Sequence, residues 1–199
     1  MHDAILVGIG TALNDDPQLN TRHVPALPSG TPYRYHLPRP IILDRYLRLS
    51  HNCKLLNNYR DGKGRRPWIF SSVPSQEELT AWNVRRTALE IAGAKVYITA
   101  AHGGLISLPD VLLALKNLHI RSLMVEGGAN VIQSFLKETL PDPQGKVNPI
   151  VDTVIVTVAP TLVGPQGIAY DCNLPVKLNH IRTAVFGRDA VMALKFANI

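Results

Sequence analysis

Cysteine is scarce: Cys53 and Cys172 stand far apart in 199 residues, with no CxxC pair and no Cys/His ligand spacing. That excludes a zinc ribbon and a disulfide scaffold, and both residues read as packing residues in a reducing compartment. Charged residues make up only 18% and aromatic residues only 6%, and the aromatic-plus-basic strand motif of an RNA-binding sheet is missing. No apolar run approaches the roughly 20 residues of a membrane span. Met1 is followed by His2 and Asp3, not by a basic and then hydrophobic leader, so a cytoplasmic chain without membrane attachment is expected.

What is present suits an enzyme-sized core. With 46% hydrophobic residues, one domain over residues 1–199 is the economical expectation. The formal charge of +6 gathers most visibly in the stretch NNYRDGKGRRPW, which reads as a solvated loop. Nucleic-acid binding through Arg60, Lys63, Arg65 and Arg66 would predict a salt-sensitive affinity. It would leave the glycine-rich sites below without a role, so no nucleic-acid partner is expected.

Apolar runs at Asp3 to Val7, Pro40 to Leu43, Trp68 to Phe70, Lys95 to Ile98, Ser122 to Val125 and Thr153 to Val158 predict strands. Segments with apolar residues every three to four positions predict helices over Ser75 to Ala92, Leu108 to Leu118 and Ala129 to Leu136. Ser75 with Glu78 fits a capping box, Gly93 a left-handed helix end, and Pro109 with Asp110 a first helical turn. Strands alternating with helices predict an α/β fold with a mostly parallel sheet. Two strand candidates around Lys177 to Phe186 and Val191 to Phe196, joined at GRD, predict an antiparallel C-terminal edge. The proline-rich segments Val24 to Pro40 and Pro141 to Pro149 read as loops.

Two strand ends carry glycine. In DAILVGIGTALNDDPQLNTR the first strand runs into Gly8, Gly10 and Thr11; in MVEGGANVIQSFL another runs through Glu126 into Gly127, Gly128 and a helix opening near Ala129 or Asn130. Such turns present amides and a positive helix end to an anion, and ligands of α/β sheets gather at the carboxyl ends of strands. Each alone reads more simply as a tight turn; two in one sheet suit a dinucleotide with several phosphates. Of Asp15 and Asp16, one reads as a turn or helix cap, leaving the other for a ribose. Arg22 offers a fork for phosphate. Glu126, ending an apolar strand, is a carboxylate that calls for a partner.

Together with RPIILD and VAPTLVGPQGIAY, these motifs resemble the riboflavin-pathway pyrimidine reductases over almost the whole chain. The resemblance implies a dihydrofolate-reductase-like three-layer fold. It also implies NADPH-dependent reduction of 2,5-diamino-6-ribosylamino-pyrimidinone 5′-phosphate to the ribitylamino compound. The absence of HxE and PCxxC is similar to the stand-alone fungal type, without a fused zinc deaminase and without a metal. Carried over, the cofactor contacts are Thr11, Asp15, Gly127, Gly128, Ala129 and Asn130, with Asp44 and Arg45 as further positions. The substrate contacts are Leu19, Arg22 for the phosphate and Glu126 for the pyrimidine. The family's habit implies a homodimer. Its members carry a strand and helix ahead of the segment that starts here at Met1, so the resemblance implies a sheet short of one inner strand. Another reductase of the same fold acting on a pteridine-like heterocycle, or a non-catalytic homologue that binds nucleotide, are the alternatives.

Overall fold

The computed structural model describes residues 2–22, 24–25, 28–29, 35–162, 164 and 177–197. Cys172 and most of VAPTLVGPQGIAY lie outside the described residues. Contacts divide the chain into two compact units, Met1–Gly128 and Ala129–Ile199.

The first unit is an α/β sheet. Its elements are β1 (Ala4–Gly8), α1 (Ile9–Asp15), β2 (Arg39–Leu43), α2 (Lys54–Arg60), β3 (Trp68–Ser71), α3 (Leu79–Ile91), β4 (Lys95–Ile98), β5 (Ala101–His102), β6 (Leu105–Ile106), α4 (Leu108–Asn117) and β7 (Leu123–Val125). The parallel strands lie in the order β4-β3-β2-β1-β7, with β5-β6 a separate hairpin. Burial explains the unalternating apolar runs: Leu6, Ile41, Ile42, Ile69 and Phe70 are closed off from water, as strands covered on both faces require. β1 pairs with β2 on one side, Gly8 opposite Leu43, and with β7 on the other, Leu6 opposite Val125. Among the described residues β7 has a ladder on one edge only.

The helix ends follow local chemistry, with one correction. At α4, Ser107 accepts the Asp110 amide at 3.3 Å, and Pro109 occupies the first turn. At α3 the Gly93 amide donates to Glu90 and the Ala94 amide to Leu89, with Gly93 at φ +107° and a hypothetical Cβ 2.8 Å from the Tyr59 ring; this is a Schellman end that needs glycine. The capping box at Ser75 does not form. A turn precedes the helix, which starts at Leu79, so Glu78 is the N-cap and no side chain caps it. The Ser75 hydroxyl meets the Glu78 carboxylate itself, at 3.4 Å.

The second unit contains α5 (Ala129–Lys137), the hairpin β8 (Thr139–Pro141) and β9 (Val147–Pro149), and β10 (Val154–Val158), β11 (Leu178–Phe186) and β12 (Asp189–Phe196). The expected antiparallel C-terminal strands are there as a three-stranded sheet of their own, ordered β10-β12-β11. Gly187, at φ +61°, turns the hairpin at GRD.

Candidate functional site

Because β7, β1 and β2 are neighbouring parallel strands, their carboxyl ends share one edge of the sheet, and both glycine turns of the first unit open there. The Glu126 amide continues the β7–β1 ladder by donating to Leu6 at 3.0 Å. Beyond it, Gly127 at φ +110° lets the chain fold back over α1. The Gly128 amide then donates to the Thr11 hydroxyl oxygen at 2.9 Å, a bond between residues 117 apart in sequence. A Cβ at Gly127 would stand 2.7 Å from that same oxygen, so glycine is required here by both conformation and space.

This bond alters which group faces a ligand. Gly128 does not offer a free amide, since Thr11 accepts it. The Thr11 hydroxyl, having accepted, keeps its own proton to donate, and Gly10 beside it has open space where a side chain would stand. Asp15, at the end of α1, is exposed, while Glu126 is half-buried with no side-chain hydrogen bond to another described residue. In the second unit Ala129 and Asn130 are the first residues of α5, Ala129 half-buried and Asn130 exposed.

The two aspartates divide their roles as their chemistry predicts. Asp16, at φ +40°, accepts the Lys54 amide at 2.9 Å and so caps α2, a different helix from the one it follows. Leu19, also in the left-handed region at φ +47°, is 6% exposed and packs in the core with Val7, Ala12 and Leu56. Its side chain therefore faces inward, and only its backbone is offered to a ligand. Asp44 is likewise buried: one carboxylate oxygen accepts the Leu49 amide at 2.8 Å and the other has no partner. Burial pushes its carboxyl above the usual range against the pull of the Arg48 and Leu49 amides, and Asp44 organises its loop. The half-exposed Arg45 donates to the Gly104 carbonyl and lies over the Tyr46 ring.

Arg22 is exposed, and its neighbours are anchored elsewhere than the Thr11–Gly128 pair. The Asn20 side-chain amide donates to the Lys63 carbonyl at 3.1 Å and the Thr21 hydroxyl to the His36 carbonyl at 2.9 Å. The basic stretch is thus built into the fold. Lys63 pairs with Asp61 at 2.9 Å, Arg65 meets the His36 ring at 3.3 Å, Arg66 donates to Gly93 and Ala94 at 3.0 and 2.7 Å, and Arg60 donates to Asn57. His36 and Asn20 were not legible as site neighbours, since their contacts span 15 and 43 residues. Among the described residues no group of histidine, cysteine or acidic side chains is arranged to hold a metal ion.

The chain is similar to known proteins. The chain is 30% identical to the 2,5-diamino-6-ribosylamino-4(3H)-pyrimidinone 5′-phosphate reductase of Eremothecium gossypii over 98% of its length and 72% of the relative's. It spans 62% of the reductase of that name from Debaryomyces hansenii and 36% of the riboflavin biosynthesis protein RibD of Aquifex aeolicus, each 30% identical. The solved riboflavin biosynthesis reductase Rib7 of Saccharomyces cerevisiae superimposes with a TM-score of 0.68 at 26% identity, covering 98% of this chain and 76% of that one. The profile of the RibD C-terminal domain matches residues 1–192, and the chain belongs to that family.

Proposed function

We propose that this protein reduces the ribosyl side chain of 2,5-diamino-6-(5-phosphoribosylamino)pyrimidin-4(3H)-one to the ribitylamino product, using NADPH, as a step of riboflavin biosynthesis. The observation that carries this reading is the Thr11–Gly128 bond. It joins two glycine turns at adjacent strand ends, where α/β sheets receive dinucleotides.

The residues present fit a nicotinamide dinucleotide. Gly127 is a bend that a Cβ would fill, the Thr11 hydroxyl has a proton to give, Gly10 leaves room for close approach, and Asp15 is free to accept from a ribose hydroxyl. Ala129 and Asn130 follow directly in the chain and complete the proposed set. When bound, the reduced nicotinamide supplies a hydride. The protein's part is placement: Arg22 holds the phosphate, Glu126 accepts from the amino-substituted pyrimidine, and the backbone at Leu19 borders the substrate. With the ribosylamine opened to its imine, conversion of C=N to CH–NH would take one hydride at C1′ and one proton at nitrogen, two electrons and two protons in all, the proton at nitrogen coming from solvent. None of the seven histidines falls within the matched motifs, so the chemistry rests on alignment more than on a dedicated acid.

The protein acts in the cytoplasm as a homodimer in this reading. The three-stranded sheet offers exposed apolar side chains for a partner to bury, since Ile155, Val185 and Phe186 are 60%, 71% and 66% exposed. Sedimentation gives the oligomeric state. The decisive assay follows loss of reduced-nicotinamide absorbance with the diaminopyrimidine substrate. Turnover is expected, and Arg22→Ala is expected to raise KM for the phosphorylated substrate about tenfold or more, the scale of one charge-assisted hydrogen bond. No turnover by this chain or by an N-terminally extended version defeats the reading.

A further inference from the structure

In the second unit the β11–β12 ladder sets Arg182 opposite Ala193, Ala184 opposite Val191 and Phe186 opposite Asp189. Residues opposite each other in an antiparallel ladder, and every second residue along a strand, point to the same side of the sheet. These six therefore share one face. All but Asp189 line a groove of about 250 Å³. Its floor is low because Ala184 and Ala193 carry only methyl groups. Phe186, 66% exposed, stands at one end, and the exposed Arg182 at the other.

The two charges of this face have no counterpart within the chain. The ion pairs among the described residues are His36–Asp3, Lys63–Asp61 and Arg86–Glu90, and neither Arg182 nor Asp189 is in them. One Asp189 carboxylate oxygen is buried with no hydrogen-bond partner, so compensation for the charge has to come through the other oxygen. Arg182 cannot supply it in its own chain. Four residues of strand separate the Arg182–Ala193 level from Asp189, about 13 Å at roughly 3.4 Å per residue. Between the two charges lies the uncharged Ala184–Val191 pair, so plus and minus stand at equal distances from the centre of the groove. The opposite face, through Thr183, Val185, Ala190 and Met192, carries no charged side chain at these levels.

We propose that a second copy of this chain docks on this face, about a two-fold axis that crosses the strands at the Ala184–Val191 level. Such an axis reverses the ladder, so Arg182 of each copy comes over Phe186 and Asp189 of the other. An isologous contact makes every complementary feature twice. Phe186 of each copy enters the other's groove above Ala184 and Ala193, and each Arg182 meets both an aromatic ring and a carboxylate. Sheets packed face to face stand about 10 Å apart with their strands roughly aligned, a gap these side chains span. Lys195, opposite Asn179 on the same face, falls beyond the overlap and stays in solvent. The inference rests on the homodimer of the proposed function and adds to it the face and the pairing; it does not depend on the heterocycle reduced.

The test is sedimentation velocity of the full chain over a concentration series, with circular dichroism of each variant to check the fold. The wild type is expected to be a dimer. Arg182→Glu sets two acidic pairs across the axis and Asp189→Arg two basic ones, so each is expected to weaken self-association about tenfold or more. Mixing the two variants restores opposite charges at both contacts, and a heterodimer of near wild-type affinity is expected from the mixture; the double variant Arg182→Glu/Asp189→Arg is expected to dimerise by itself. A merely structural role for either residue would not give this rescue. Folded single variants that dimerise as tightly as the wild type overturn the proposed face and leave the homodimer standing. Weakened single variants with no rescue on mixing overturn the Arg182–Asp189 pairing. A monomeric wild type, which would leave the face to a different protein, overturns both the face and the homodimer.

Discussion

Replacing Gly127 by alanine puts a methyl group 2.7 Å from the Thr11 hydroxyl oxygen, in a backbone held at φ +110°. The left-handed conformation costs a side-chain-bearing residue about 1–2 kcal/mol, and forcing Thr11 aside loses its bond to the Gly128 amide, worth about 1 kcal/mol. Gly127→Ala is therefore expected to lower stability by about 2–3 kcal/mol, a large share of a domain's marginal stability. Thr11→Ala alone removes the bond and costs about 1 kcal/mol. In the double variant the bond is already lost and the oxygen is gone, so only the backbone strain remains on top. Its total is expected to fall short of the sum of the single variants by about 1 kcal/mol. Urea unfolding of all four proteins reads this directly. A sum additive to within about 0.5 kcal/mol refutes the claim that the two turns are coupled through Thr11.

Asp16→Ala removes the side chain that caps α2 through the Lys54 amide and is expected to cost about 1 kcal/mol in the same urea assay, with the Pro17–Arg22 loop loosened as seen by faster amide exchange. Asp3 is held below its ordinary value of 3.8, chiefly by the Arg121 amide. Its contribution to stability is thus fully present above that value and lost as pH falls through the lower, folded-state value. Asp3→Asn is expected to flatten the acid limb of the stability profile, measured by thermal unfolding from neutral pH downward, and an unchanged acid limb contradicts it.

Much of the fold was legible because burial writes itself into composition. The runs at Ala4–Val7, Ile41–Leu43 and Ile69–Phe70 are apolar without alternation because helices and loops cover both faces, and the predicted strands and helices fall within a few residues of the observed ones. α1 was hidden by Gly8 and Gly10, which read as a turn; with Ala12 buried and Ile9 packed against the core, tertiary packing overrides glycine's poor helix propensity. α2 was hidden by asparagine and arginine and by a cap that comes from Asp16, 38 residues earlier. The hairpins β5–β6 and β8–β9 have strands of two and three residues, too short to show a period. At the site, residue types pointed to both glycine turns, but not to their union through a hydroxyl 117 residues away, nor to the burial of Leu19 and Asp44.

The central claim is that the turns at Thr11 and Gly127–Gly128 act as one site for a dinucleotide. Titrating the isotope-labelled protein with NADP+ and following backbone amide resonances tests it most directly. The amides of Gly10, Thr11, Gly127 and Gly128 are expected to shift together along a single saturation curve. Saturable shifts confined to other residues, or shifts at one turn without the other, contradict it.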